Sequence, residues 1–164
     1  MKCDIKRVEK EEIPQLAKLA NEIWHQHFPT ILTEEQIDYM VLNFQSENAM
    51  NSQLENGYEY YFMNADGNNQ GYFGIQPQED GTLFLSKLYL RKSYRGNGFA
   101  RQAFEFMKDI CKERGYKSIW LTVNKHNDDT IAIYKRFGME IIRSQVADIG
   151  NGFVMDDYVF EYKI

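Results

Sequence analysis

The apolar positions of this chain change period along its length, and the changes mark its elements. Residues 2–8 alternate loosely through Cys3, Ile5 and Val8 and read as a first strand. Ile13, Leu16, Leu19, Ala20, Ile23 and Trp24 then recur at helical spacing, with Pro14 in the first turn and Pro29 as a stop near Phe28. Thr33-Glu-Glu-Gln36 has the form of a capping box before Ile37, Met40, Val41 and Phe44. Ser46 caps a short third piece that ends at Gly57. From Tyr58 the period falls to two. Residues 58–63 and 71–75 read as strands around the turn Asp66-Gly67, and Asp80-Gly81 leads into a strand over 83–90.

That strand leaves through a glycine-bearing turn into a helix over about residues 98–114, striped by Phe99, Ala103, Phe106, Met107 and Ile110 and ended by Gly115. Residues 119–123 form a short apolar run suited to a buried parallel strand. A strand–helix–strand crossover of this length makes its two strands parallel. Asn127 caps a further helix that runs through Arg136, with Gly138 after it. The rest is one long hairpin, residues 139–149 and 153–162, turned at Gly150-Asn151-Gly152. The order β-α-α-β-β-β-α-β-α-β-β predicts a single mixed α/β domain over residues 1–164. In its sheet an antiparallel meander gives way to a parallel pair. Where direction changes, neighbouring strands splay and leave backbone groups for a ligand.

Composition narrows the classes. With 43% hydrophobic and 26% charged residues the chain has the balance of a soluble globular protein. A net charge of −5 argues against nucleic acid as a partner. The two cysteines, Cys3 and Cys111, have neither metal spacing nor the density of a disulfide framework, which suggests a reducing cytoplasm. No apolar run approaches the roughly 20 residues of a membrane span, and the charged start, Lys2, Asp4, Lys6 and Arg7, is unlike a signal peptide.

Against this acidic background the turn after residues 83–90 reverses sign. Arg91, Lys92, Arg95 and Arg101 occur with no acidic residue among them. Gly96 and Gly98 let the backbone approach a ligand, and the following helix offers free N–H groups and the positive end of its dipole. A pyrophosphate fits such a site. A P-loop is excluded, because no Gly-Lys-Ser/Thr is present, and the dinucleotide fingerprint fails where its third glycine falls on Arg101.

Arg95-x-x-Gly98-x-Ala100 resembles the acyl-CoA pyrophosphate loop of the GNAT superfamily of N-acetyltransferases, Gln/Arg-x-x-Gly-x-Gly/Ala. The family also has an Asn at the start of a later helix and a Tyr seven residues on, matched by Asn127 and Tyr134. Thr130 and Met139 depart mildly from it, standing where the family often has Ala and Phe. The order of elements is similar over essentially the whole chain. The resemblance implies acetyl-CoA as cofactor and direct transfer of an acetyl group to an amine. It implies that the amides of Arg95, Gly96, Asn97, Gly98, Phe99, Ala100 and Arg101 hold the pyrophosphate. The strand edges of Leu88, Tyr89 and Leu90 would bind pantetheine. Asn127 would contact the cofactor near its amide portion, and Tyr134 would protonate the leaving sulfur. A backbone N–H near Leu88 would steady the developing oxyanion.

For the acceptor side, Trp24, His25, His27 and Phe28 cluster at a helix end before the 29–32 loop, which helps wall the acceptor site in the family. His25 and His27, two apart, do not share a helix face, so no metal pair is expected. Asp156 and Asp157 are successive strand residues, so one points inward, and a carboxylate there attracts a cationic amine. Trp24, His27, Phe28, Asp156 and Asp157 are therefore the substrate candidates. Glu22, Glu59 and Tyr72 remain as other candidate bases. A small cationic amine such as a polyamine is the first expected acceptor. A protein N-terminus or lysine, a non-catalytic acyl-CoA-binding module and a nucleotide-dependent oxidoreductase are the alternatives. The expected assembly is a monomer or homodimer.

Overall fold

The computed structural model describes residues 1–29 and 32–164; the His27 side chain also lies outside the described residues. One sheet carries the chain. Its strands are β1 (Asp4–Arg7), β2 (Glu59–Ala65), β3 (Asn68–Pro77), β4 (Thr82–Leu90), β5 (Ser118–Asn124), β6 (Glu140–Gly150) and β7 (Phe153–Lys163), in spatial order β1-β2-β3-β4-β5-β7-β6. The helices are α1 (Ile13–His27), α2 (Glu34–Phe44), α3 (Glu47–Glu55), α4 (Phe99–Arg114) and α5 (Asp128–Arg136). Strands pair antiparallel throughout except β4 with β5, so the meander and the parallel pair are both present.

Local chemistry accounts for the boundaries. Asp66 and Gly67 turn with φ of 54° and 81°, and Asn151 and Gly152 with 54° and 77°, the left-handed pair that matches strand twist in a two-residue hairpin. Ser46 accepts from the Ala49 amide at the start of α3. Thr33 accepts from the Gln36 amide at 3.1 Å, but the return half of the expected capping box is absent. The Gln36 side chain reaches instead to the Val154 carbonyl at 3.4 Å, tying α2 to the β6–β7 hairpin. A full capping box forms at Glu9 and Glu12, just before α1.

Both sheet faces are covered. On one, α4 buries Phe99, Ala103, Phe104, Met107 and Ile110 against Leu83, Leu85, Ile119, Leu121 and Phe160. On the other, α1 and α3 pack Ile13, Leu16, Ile23 and Met50 on Tyr60, Phe62 and Tyr72. A separate cluster joins Trp24, Phe28, Ile37 and Met40 to Tyr89, Ile149 and Met155.

Two irregularities in β4 place the site. Its pairing with β5 covers only Thr82–Leu85 against Ser118–Leu121, although β4 continues to Leu90 and β5 to Asn124. The strands therefore part beyond Leu85, as a reversal of direction in the sheet suggested. On the β3 side, Gly74 pairs with Lys87 and Ile75 with Leu85, which leaves Ser86 as a bulge. One extra residue shifts the side-chain phase. Leu83, Leu85, Leu88 and Leu90 all meet the α4 side, whereas Lys87 and Tyr89 turn to the α1–α3 side.

Candidate active site

The chain leaves β4 through a short 3-10 turn at Lys92–Tyr94, then Arg95, Gly96, Asn97 and Gly98. Gly98 caps α4 with φ +84°, a left-handed conformation that an L side chain adopts only with strain. The amides of residues 96–101 donate to no described carbonyl. Asn97 Nδ2 donates to the Arg95 carbonyl at 3.4 Å and braces the turn. Arg95 Nε donates to the Leu90 carbonyl at 3.3 Å, while Nη2 is buried with no partner. Burial lowers the Arg95 pKa, yet a guanidinium stays charged. A buried cationic N–H without an acceptor is costly unless an anion supplies one.

The four basic residues of this stretch are not equivalent. Arg91 is paired with Glu22 at 2.8 Å, and Arg101 lies over the Phe137 ring at 4.6 Å and within 3.9 Å of Glu105. Phe99 is a core residue against Tyr94. Arg95 is the one whose donor faces inward. It lines a cavity of about 80 Å³ with Leu88, Leu90, Ala100, Thr130 and Tyr134. Residues chosen from three separate stretches of sequence thus surround one space.

Asn127 holds the start of α5: its Oδ1 accepts from the Thr130 amide at 3.3 Å and its own amide donates to the Asn124 carbonyl. Tyr134, one side of the same helix, is buried against Phe137 and Phe160. Burial, and secondarily Tyr89, raise its phenol well above the usual 10, so it stays protonated near neutral pH.

Leu88, Tyr89, Thr130 and Tyr134 also line a second, larger cavity of about 410 Å³, which therefore adjoins the first. Trp24 walls it from α1, Phe28 from just past that helix and Met40 from α2, the stacked Phe84–Trp120 pair from β4 and β5, and Met155 and Asp157 from β7. Trp24 and Phe28 are in ring contact at 4.3 Å, and the Trp24 indole donates to the Tyr72 hydroxyl. The expectation for His27 falls on a side chain outside the described residues, and the 29–32 loop is only partly described.

The acidic pair divides as strand alternation requires. Asp156 meets Lys125 at 2.9 Å on the outside. Asp157 is 6% exposed, faces the cavity, and has an Oδ1 without a partner. Burial, with a smaller contribution from Asp156, raises its carboxyl to about 6, partly offset by Lys125. Among the described residues lining this cavity it is the sole carboxylate. The other candidate bases lie elsewhere. Glu22 is with Arg91; Glu59 is held by Arg114 at 2.7 and 3.0 Å and by Tyr61; Tyr72 is fully buried and donates to Gln45.

Sequence reasoning missed Lys87. It is 4% exposed in the cavity wall, donating to the Phe44 carbonyl and, at 2.9 Å, to Gln53 Oε1. Burial lowers its pKa to about 7. The available signal was a lone lysine inside an apolar strand, but the bulge that turns it toward the cavity is not written in the apolar pattern.

The site combines a splayed parallel pair, a helix start with unpaired amides and a phenol between two cavities, and comparison with known proteins gives the family. The model of the acetyltransferase (GNAT) family matches residues 13–139. The chain belongs to that family of N-acetyltransferase enzymes. The uncharacterized N-acetyltransferase in the pepI 3′ region of Lactobacillus delbrueckii subsp. lactis is 23% identical over 155 residues, 90% of each chain. A Bacillus subtilis protein that carries the name of a ribosomal-protein alanine N-acetyltransferase is 31% identical over 88 residues, 53% of this chain and 58% of that one. The PaiA N-acetyltransferase of Thermoplasma acidophilum, solved in complex with coenzyme A, shares the fold at a TM-score of 0.81 with 20% identity, covering 100% of both chains. No described helix is long and apolar enough to cross a membrane.

Proposed function

We propose that residues 1–164 form one N-acetyltransferase domain that moves an acetyl group from acetyl-CoA directly to a small cationic amine. One observation carries this reading. Arg95 Nη2 and Asp157 Oδ1 are each buried without a partner, and the two residues line adjoining cavities with Tyr134 lining both. The first suits a phosphate and the second an ammonium.

Bound acetyl-CoA supplies an acyl thioester that is activated toward amines. Arg95 and the amides of residues 96–101 hold the pyrophosphate at the α4 start. The edge of β4 at Leu88, Tyr89 and Leu90, unpaired on the β5 side, hydrogen-bonds the pantetheine amides, and Asn127 approaches the same arm. An amide of β4 just past the bulge, near Leu88, receives the charge that develops on the carbonyl oxygen. Tyr134 donates to the departing sulfur. Complete transfer from its raised phenol to a thiolate of pKa about 8.5 is uphill, so the hydrogen bond itself lowers the barrier. Asp157 binds the ammonium form of the acceptor and takes its proton; a carboxylate raised toward 6 is a stronger base than an ordinary one.

The Bacillus subtilis relative, named for alanine on a ribosomal protein, supports a second reading in which the acceptor is a protein N-terminus. Two free buried cysteines support a cytoplasmic location. The test is Tyr134→Phe in a thiol-release assay. Turnover is expected to fall by about 10²-fold, with the KM for acetyl-CoA within about threefold. Unchanged turnover would remove Tyr134 as the proton donor, and acetyl-CoA binding without thiol release by the wild type on any amine would leave only an acyl-CoA-binding module.

A further inference from the structure

We infer that the acceptor is a primary amine with a single ammonium on an aromatic or branched apolar body, rather than a polyamine. This rests on the acetyltransferase reading above and narrows its substrate class.

The cavity is about 410 Å³, within the range of small-molecule sites; the acyl-pantetheine end takes the part lined by Leu88, Tyr89, Asn127 and Tyr134, and the acceptor takes the remainder. Its walls are mostly apolar. Phe84 and Trp120 stack at 4.2 Å with 22° between their planes and form a flat floor at the edge of the splay. Trp24 on α1, Phe28 just after it and Met40 on α2 line the same cavity. A flat or branched apolar group against these side chains loses water, which is the main source of affinity in such pockets.

The charges present set the number of ammonium groups. Asp157 alone among the described lining residues carries a carboxylate, and its Oδ1 has no protein partner, so one cation is matched. The lining amine among the described residues is Lys87, whose charge burial already disfavours and which is committed to Phe44 and Gln53. A second ammonium would enter without a counter-charge and share the cavity with Lys87. Ring faces attract cations, but stripping water from an unpaired ammonium outweighs what a ring face returns. Asp156, which would supply a second carboxylate, is on the other side of β7 with Lys125. Spermidine, with cations along its whole length, is therefore a poor match, and a monoamine with a ring is a good one.

The experiment is a thiol-release assay on the whole chain with acetyl-CoA and 2-phenylethylamine, tryptamine, ethylamine, spermidine or a peptide with an N-terminal alanine. It is run on the wild type, Asp157→Asn and Trp120→Ala, with thermal melts in acetyl-CoA alongside. The expected kcat/KM for the two arylalkylamines exceeds that for spermidine and ethylamine by about tenfold or more. Asp157→Asn is expected to raise the KM for phenylethylamine by about tenfold or more and leave that for acetyl-CoA within about twofold. Trp120→Ala is expected to shrink the advantage of phenylethylamine over ethylamine. Preference for spermidine, acetylation of the peptide alone, or wild-type kinetics in Asp157→Asn would overturn the inference. If acetyl-CoA raises the melting temperature and no monoamine is acetylated, this inference fails while the cofactor reading stands. If acetyl-CoA has no effect on melting, both fail.

Discussion

Asp157 brings a carboxylate into an apolar cavity and finds no partner there. Burial raises its carboxyl from 3.8 to about 6, so the folded chain holds that proton more tightly than the unfolded chain does. The resulting stabilisation is complete below pH 3.8 and is lost as pH rises through about 6. At pH 8 the ionised group is a net cost on the order of 2 kcal/mol. Asp157→Asn is therefore expected to raise the melting temperature by roughly 4–8 °C at pH 8 and by little at pH 4, even as amine binding weakens. Melting curves at the two pH values check this, and a destabilised variant at pH 8 would contradict it. Tyr134 offers the complementary case, since its phenylalanine variant keeps the ring and loses only the donor. The inward position of Asp157 was half legible in sequence. Strand alternation says that one of Asp156 and Asp157 turns inward, but only the pairing of β7 with β5 and β6 says which.

At the scale of elements, the proposed cofactor site is built from β4 and α4. The apolar pattern gives both elements to within a residue or two, because an unbroken β-prone run, two glycines and an amphipathic stripe mark their ends. It cannot give the bulge at Ser86, whose effect is to turn Lys87 and Tyr89 away from α4. Nor can it separate Arg91 from Arg95: both flank the turn, and only the fold brings Glu22 against Arg91. The expected capping box at Thr33 illustrates the same limit, since the Gln36 side chain bonds to a hairpin more than 100 residues away. Arg95→Ala tests the element. Calorimetry is expected to show a Kd for coenzyme A raised by about tenfold or more and a shallower dependence on salt. The melting temperature of the unliganded variant is expected to change little, because the lost Nε bond to the Leu90 carbonyl is offset by removal of an unmatched buried N–H. Unchanged affinity would remove the pyrophosphate from this turn.

For the molecule as a whole, the antiparallel meander, the single parallel pair and the closing hairpin were readable from the sequence of periods, because crossover length and turn chemistry leave few alternatives, whereas the insertion of β7 between β5 and β6 was not. The cavities were not, since each draws residues from both ends of the chain. A ligand seated between the parted strands binds only the folded state. Coenzyme A at about 100 times its Kd is expected to add about 2.7 kcal/mol. For a chain of this size that is a melting shift of roughly 5–10 °C. NAD and ATP at equal concentration are expected to shift it less. An equal response to NAD would favour a nucleotide-dependent oxidoreductase instead.

The most direct measurement is a crystal structure of the chain with coenzyme A. The expected result has the two phosphates against the amides that follow Arg95 and within reach of its unpaired nitrogen, and the thiol between β4 and the Tyr134 hydroxyl. Phosphates bound elsewhere, or a thiol remote from that hydroxyl, would contradict the account.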